Sequence, residues 1–452
     1  MTPVESLAPS DGLLYVAEGL RAAGHEAWAV GGAVRDALAG RAPGDWDVAT
    51  DARPERVREI FDRTHPIGLG HGTVGVRTDE ETVEVTAFRT DVATDGRHAE
   101  VRFGASLEED LARRDFTVNA IAWDPVDDEI VDPFGGRADL AAGVLRTVGD
   151  PDARIPEDYL RILRGFRFAA RFDLDYDPGT FAAMRRHAGG TARLSGERVR
   201  DELLKTFAQC RLASRALSDW RETGVMARLM PEVAVCFGVE QNEWHADDVG
   251  AHTLLVVDQV HPRRPFLRVV ALFHDVGKPP ARIEHPDHGD WTFPGHAEIG
   301  ARLAGQALSR LRFSNREIAR ATHLIRVHMD LLPPEAGDAA VRRWIRRIGE
   351  EHVWDLYRIH LADWWGNRRR AESPPDDLVE MYRRVRKALA AEHALEVADL
   401  AIGGDELIAM GIEPGPEIGR ILDRLLERVV EDPTLNRRET LLELAEREMA
   451  TA

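Results

Sequence analysis

Two adjacent glycines, Gly31 and Gly32, constrain this chain more than any other pair of residues. They sit in Val30-Gly31-Gly32-Ala33-Val34-Arg35-Asp36, and the segment Ala27 to Val30 reads as a short strand leading into them. A glycine pair permits a tight turn and a close approach that any side chain would obstruct. Val34 to Leu38 reads as the start of a short helix, broken by Ala39-Gly40-Arg41-Ala42-Pro43-Gly44. A helix that opens at such a turn presents free N–H groups to a phosphate, and Arg35 adds a fork of donors for the same anion. Asp45-Trp46-Asp47-Val48-Ala49 then reads as a strand. Residues two apart on a strand share a face, so Asp45 and Asp47 are expected to project together toward the turn. Two close carboxylates beside phosphates repel unless a cation lies between them, and Mg²⁺ is the usual one.

Gly-Gly-x-Val-Arg-Asp followed by Asp-Trp-Asp resembles the signature of the nucleotidyltransferase superfamily, in the branch of the class II tRNA nucleotidyltransferases and poly(A) polymerases. Further stretches carry the same resemblance. Val74 to Arg77 and Thr82 to Phe88 alternate like a β-hairpin around Asp79-Glu80-Glu81. Glu84 lies on the face opposite Val83 and Val85 and matches the family's third carboxylate; by pattern alone it reads equally as an exposed strand glutamate. Arg113-Arg114-Asp115-Phe116-Thr117-Val118-Asn119-Ala120 matches the family motif that contacts the sugar and phosphates of the incoming nucleotide. There Arg114 suits a phosphate and Asp115 a ribose hydroxyl. Asp132 to Leu140 matches a turn that joins the catalytic head to the next domain. Asp91 to Ser106 shows no clear periodicity and reads as a mobile loop. The family's CC-adding members have a shortened loop at this place, which weighs against CC-only addition.

Pro156-Glu157-Asp158-Tyr159-Leu160-Arg161 is expected to open a helix, with proline in a first helical position and acids in the first turn. Tyr159, Leu163, Phe166 and Ala170 form its apolar face, and Asp158, Arg161, Arg164 and Arg167 wind around the other side. The Glu-Asp-x-x-Arg form resembles the family's nucleotide-selecting motif. That resemblance implies that Asp158 accepts a base amino proton while Arg161 donates to a ring nitrogen and carbonyl, a polarity that fits C and A. Glu197 to Leu204 resembles the next helical motif and reads as structural.

Farther along, His252, His274-Asp275, His296, His328 and Asp363 form a spaced set of metal-type ligands that resembles the HD phosphohydrolases. His and Asp suit a divalent metal with water in an open position. The other reading is an HD fold kept as a scaffold after its activity lapsed. Ser373-Pro374-Pro375-Asp376-Asp377 reads as a linker, and the helical tail is interrupted by Pro414-Gly415-Pro416. Arg437, Arg438 and Lys387 offer scattered basic charge.

With 452 residues the chain is too long for one core. The expected fold class is α+β. It comprises a small mixed-sheet head (1–149), a helical nucleotide-selecting and RNA-binding neck (150–240), an HD-type helical domain (245–367) and a helical tail (368–452). A net charge of −19 argues against a protein that coats nucleic acid non-specifically, yet permits a local basic groove. Two cysteines, Cys210 and Cys236, lack metal-like spacing and read as buried thiols. No apolar run long enough to span a membrane is present, and residues 1–10 lack the blocks of a signal peptide, so the expected location is cytoplasmic.

The resemblance implies addition of C and A from CTP and ATP to the 3′ end of tRNA. In that chemistry two Mg²⁺ ions are held by Asp45 and Asp47, and Gly31, Gly32, Arg35 and Arg114 hold the triphosphate and sugar. A second divalent metal is expected in the HD block, and no obligate protein partner is evident. The rivals are a poly(A) polymerase, an A-only or CC-only enzyme, and an HD phosphohydrolase whose head merely binds nucleotides.

Overall fold

The computed structural model describes residues 7–68, 72–94, 99–242, 245–285, 289–367, 373–391 and 394–450. The chain divides into two compact units. The first holds residues 1–235 with the short pieces 262–265 and 307–313, and the second holds the remainder.

The first unit begins with α1 (Asp11–Ala22), whose first turn is capped by Ser10: its Oγ accepts from Leu13 N at 3.2 Å. Leu13, Val16, Ala17 and Leu20 lie on one helical face and are buried. Strands β1 (Trp28–Val30), β2 (Asp47–Thr50), β3 (Thr64–Gly68), β4 (Thr73–Arg77) and β5 (Thr82–Ala87) follow, with α2 (Gly32–Leu38) and α3 (Pro54–Ile60) between them. After the hairpin β6 (Arg89–Thr94) and β7 (Ala99–Phe103) come α4 (Leu107–Ala112), β8 (Ala122–Asp124) and β9 (Glu129–Val131).

Seven of these strands form one mixed sheet in the order β3-β4-β5-β2-β1-β8-β9. Only β2 and β5 run parallel within it, and their register sets Asp47 beside Glu84. On its other side Asp47 faces Val30, the residue just before the glycine pair. The middle of the sheet therefore brings together the glycine turn and two carboxylates from distant parts of the chain.

Helices complete the unit: α5 (Gly136–Ala142), α6 (Pro151–Glu157), α7 (Leu160–Phe172), α8 (Pro178–His187), α9 (Gly196–Gln209), α10 (Ala213–Glu222), α11 (Val225–Leu229) and α12 (Pro231–Ala234). The second unit is built on α13 (Val249–Gln259), all but the first residue of α14 (Pro265–Phe273), α15 (Lys278–Ala281), α16 (His296–Arg310) as far as residue 306, α17 (Asn315–Val327), α18 (Asp338–Ile348) and α19 (Glu350–Gly366). It ends in α20 (Asp376–Ala390), α21 (Gly404–Ala409), α22 (Pro416–Glu431) and α23 (Arg438–Ala450), with their own core around Leu407, Leu425, Val429 and Leu441. The fold is α+β, a mixed-sheet head followed by helices. Among the described residues no helix is long and apolar enough to cross a membrane. Cys210 and Cys236 are buried free thiols.

Several local expectations need correction. Asp91 to Ser106 is not a structureless loop. Its described part includes a two-stranded antiparallel ladder, Arg89 opposite Phe103 and Thr94 opposite Ala99. The β-branched residues Thr90, Val92, Thr94 and Val101 supply that propensity; residues 95–98 lie outside the described residues. Asp45 stands before β2 rather than on it, because pairing starts only at Asp47. Pro156 lies inside α6, and the helix after it starts at Leu160. Asp158 makes that break: its backbone is extended, and its Oδ1 accepts from Leu160 N at 3.1 Å. α7 is also buried nearly all round, with Arg161 and Arg167 inside rather than on a solvated face. Asp376 and Asp377 form the first turn of α20, where acids are favourable, instead of a linker.

Candidate active site

Gly31 adopts φ +78°, a conformation that L side chains rarely take. A Cβ there would also lie 3.0 Å from Arg114 Nη1 and 3.7 Å from Asp47 Oδ2. Glycine thus lets an arginine and a carboxylate close on the backbone. Between the two aspartates, Trp46 is buried against Trp123, with centroids 5.7 Å apart, and its carbonyl accepts from Glu84 N at 3.1 Å. Trp46 anchors the strand entry, leaving Asp45 exposed and Asp47 partly covered.

Asp47 carries the electrostatic signature of the site. Its carboxyl is pushed up to about 6 by burial, by Glu84 and by Asp45, against the opposing pull of Arg114. A buried carboxylate repelled by two neighbouring carboxylates is what a hard divalent cation relieves, so the oxygen donor set fits such an ion.

Facing these acids across a cavity of about 860 Å³ is a bank of cations that includes Arg114, Arg164, Arg171, Arg198 and Lys205. Many are braced by acids. Asp110 Oδ2 accepts from Arg114 Nη2 at 3.1 Å, and Asp115 Oδ2 accepts from Arg164 Nε at 2.7 Å. Burial alone would raise the Asp115 carboxyl, but Arg164 and the Asn119 amide hold it well below the usual carboxylate range. Asp158 Oδ2 accepts from Arg198 Nη2 at 2.7 Å.

The full-length relatives decide the family. The A-adding tRNA nucleotidyltransferase of Deinococcus radiodurans is 34% identical over 416 residues, covering 88% of this chain and 90% of that protein. The CC-adding tRNA nucleotidyltransferase of Thermus thermophilus is 33% identical over 420 residues, covering 90% of each.

The chain belongs to the tRNA nucleotidyltransferase family.

Residues 27–146 match the poly A polymerase head domain, 173–237 the family described as "probable RNA and SrmB-binding site of polymerase A", and 296–445 the tRNA nucleotidyltransferase domain 2. Among solved structures, the Bacillus stearothermophilus CCA-adding enzyme in complex with CTP is 29% identical. It superimposes with a TM-score of 0.72 over 98% of both chains.

In this nucleotidyltransferase, the structure collects Asp45, Asp47, Glu84, Gly31, Gly32, Arg35, Arg114, Asp115, Asp158, Arg161, Arg164 and Arg167 around one cavity. Their availability differs from the sequence expectation. Arg35 is buried under Phe168 and Phe172, with its guanidinium 4.7 and 4.5 Å from their ring centroids. It donates to Asp36 at 2.6 and 3.0 Å and to Asn119, and burial pushes its pKa down to about 10. Arg161 donates to the carbonyls of Arg154 and Arg113 and to Glu157. Arg167 pairs inside the protein with Glu202 and Gln209. These three stiffen the wall. Arg114, Asp158 and Arg164 are the more accessible members.

Sequence reasoning treated α9 as structural, yet Arg198, Lys205 and Gln209 line the cavity. The available signal was a polar stripe at Arg198, Glu202, Lys205 and Gln209, at steps of four, three and four along one helix face.

The second unit assembles the other candidate set. His252 lies on α13, His274 and Asp275 directly follow α14, His296 opens α16, His328 caps α17 and Asp363 lies near the end of α19. His252 Nε2 is 2.9 Å from Asp363 Oδ1, and His296 Nε2 is 3.3 Å from His328 Nε2. Asp275 Oδ1 lies 3.5 and 3.7 Å from that second pair. Two triads, His252-His274-Asp275 and Asp275-His296-His328, each hold their donor atoms within 4.8 Å of one another and share Asp275. The Nδ1 atoms of His274, His296 and His328 face the carbonyls of Ala271, Phe293 and Ile325 at 2.7, 2.9 and 2.6 Å. A proton held there leaves each Nε2 lone pair aimed inward, the arrangement a metal requires. His274 Nε2 is buried and makes no directional hydrogen bond, which also fits a missing ligand partner.

Proposed function

We propose that this enzyme adds C and A residues from CTP and ATP to the 3′ end of tRNA without a template. The observation that carries the reading is the placement of Asp47 beside Glu84, with Asp45 at the strand entry, opposite an arginine-lined cavity. Mg²⁺ ions held by Asp45 and Asp47 would supply the positive charge that lowers the pKa of the RNA 3′-hydroxyl and offsets charge on the departing pyrophosphate. The new bond joins the 3′-oxygen to the α-phosphorus, the bond to the β-phosphate breaks, and the hydroxyl proton passes to solvent. Arg114 and Arg164 attract the triphosphate, and Gly31 lets it approach the backbone. Asp158 offers acceptors to a base amine, while Arg161 reaches a base only by leaving the carbonyls it now binds. RNA is held by shape and backbone along the neck, and the enzyme works in the cytoplasm.

The relatives add A, CC or CCA. The segment from Asp91 to Ser106 weighs against CC-only addition, since a shortened loop marks CC-only members. Head (1–149), neck (150–240), metal-binding block (245–367) and tail (368–452) are our division of labour. One assay tests the reading: purified protein, tRNA lacking CCA or ending in CC, and each NTP in turn. The expected result is CMP incorporation on the first substrate and AMP on the second. Repeated AMP addition to any RNA would instead make it a poly(A) polymerase, and AMP addition to CC-ended tRNA alone an A-adding enzyme.

We also propose that the second unit binds a divalent metal and hydrolyses phosphomonoesters or cyclic phosphodiesters. What supports this is the convergence of four imidazoles and two carboxylates with inward Nε2 atoms.

A further inference from the structure

Beside the six-residue cluster of the second unit lies a cavity of about 460 Å³. His328 and Asp363 line it and also belong to the cluster, so the cavity and the cluster share a wall. The volume lies in the range of sites that hold small molecules. Its remaining wall is mostly apolar, drawn from Leu332, Trp364, Leu378 and Met381, with Met329 and Leu331 at an exposed edge. The wall is fixed where it meets the cluster. His360 Nε2 donates to the His328 carbonyl at 2.7 Å, and the buried Tyr382 hydroxyl lies 3.0 Å from His360 Nδ1. No lysine or arginine lines the cavity among the described residues, and Asp363 and Asp377 make its charge acidic.

These observations constrain the occupant. A second phosphate, as in pyrophosphate, would enter an apolar space bordered by carboxylates and find no lysine or arginine among the described residues. Such burial of charge is strongly unfavourable. A flat, uncharged ring would bury apolar surface against Trp364 and the methionines, and thioethers pack well on rings. We propose that this cavity is a leaving-group pocket for an aromatic phosphomonoester whose phosphate lies at the cluster. The proposal deepens, and rests on, the reading of the cluster as a metal-dependent hydrolase. In the reaction a water oxygen bonds to phosphorus, the bond from phosphorus to the ring-bearing oxygen breaks, and that oxygen leaves as the alcohol with a proton from water.

The experiment uses the whole chain and two readouts. Calorimetry compares phenylphosphonate with methylphosphonate, both inert to hydrolysis, and kinetics compares p-nitrophenyl phosphate with glycerol 3-phosphate and pyrophosphate. Bound metal is measured alongside. The expected result is tighter binding of phenylphosphonate by at least about tenfold and a similar preference in kcat/KM for the aryl ester. Leu331→Glu, at an exposed position, should abolish that preference while leaving the metal content unchanged. Retained metal with equal binding of the two phosphonates, or with pyrophosphate as the best substrate, overturns the pocket but not the hydrolase. No metal and no hydrolysis, with phenylphosphonate still preferred, overturns the hydrolase and leaves the ring pocket. Absence of metal, hydrolysis and binding overturns both.

Discussion

The two polar centres of this enzyme solve the handling of charge in opposite ways. In the first unit, acids from neighbouring strands face a bank of arginines across a broad cavity, and Arg114, Asp158 and Arg164 are only half-buried there. In the second unit, imidazoles outnumber carboxylates and their donor atoms are buried. The first arrangement suits a large polyanion that arrives with its cations and departs again. The second suits an ion held permanently, because buried nitrogen donors aimed inward bind tightly and exchange slowly. The difference teaches that a carboxylate site is tuned by repulsion, visible in Asp47, whereas a histidine site is tuned by hydrogen bonds on the far side of its rings, visible in His274, His296 and His328.

The strongest way to break the comparison is to remove the acids. Asp45→Ala and Asp47→Ala should each lower nucleotide addition by more than about a hundredfold. Loss of a mere supporting residue around a metal already costs about 10–100-fold, and these are the proposed ligands themselves. Both variants should keep the fold and the metal of the second unit. Near-wild-type incorporation by either folded variant, measured with labelled CTP on tRNA lacking CCA, would show that the carboxylates are not the ion's ligands.

The reverse removal comes next. His274→Ala together with Asp275→Ala should empty the second centre, as read by elemental analysis, and leave nucleotide addition within about threefold of wild type. Both positions are buried, so the comparison needs a melting curve; removing Asp275 takes the carboxylate from the buried Lys278, now 2.7 Å away, at a cost of about 1–3 kcal/mol. Loss of tRNA extension by a folded variant would mean that the two centres work together.

How much of this was legible beforehand differs between the centres for a physical reason. The head's machinery lies in contiguous runs such as Gly31-Gly32 and Asp45-Trp46-Asp47, because one turn and one strand end hold it. Pattern alone finds such runs. The six histidines and aspartates that the second unit brings together stood out by residue type, although they come from distant helices. The commitments of the arginines were not legible. Arg161 looks surface-exposed in a helical wheel, but the break at Asp158 turns it toward the carbonyls of Arg113 and Arg154. Likewise, the polar stripe of α9 marks a face but not the partner, Asp158, to which Arg198 reaches back.

A subtler test addresses what the cavity's accessible acid reads. Ionised Asp158 has only acceptors to offer, so uracil or guanine would set a carbonyl against it and leave buried polar groups unpaired. At about 1–3 kcal/mol per group this gives roughly ten- to hundredfold discrimination. Asp158→Ala should relax selection against UTP and GTP by that factor while changing triphosphate affinity less, since Arg114 and Arg164 remain. The measurement is kcat/KM for the four NTPs. A variant that still rejects UTP and GTP as wild type does would place base reading elsewhere.

The smallest effect follows from the repulsion itself. Asp47 in the folded enzyme holds its proton up to about pH 6, against an ordinary value near 3.8. Because the folded state binds that proton more tightly than the unfolded chain, this group's stabilising contribution is complete below about pH 4. It is lost as pH rises through 6. At pH 7.5 without divalent ions, Asp47→Asn should therefore melt higher than wild type, by about 2–4 °C. At pH 4.5 that advantage should largely vanish, since wild-type Asp47 is then protonated and nearly isosteric with the amide. Adding Mg²⁺ at pH 7.5 should reverse the order, because the ion offsets the repulsion only when the carboxylate is present. The same series on a variant of the second centre should show no such reversal with Mg²⁺. An Asp47→Asn enzyme that melts below wild type in chelator at pH 7.5 would mean that Arg114 already neutralises the carboxylates, and that the contrast between the two centres is one of geometry rather than of stored repulsion.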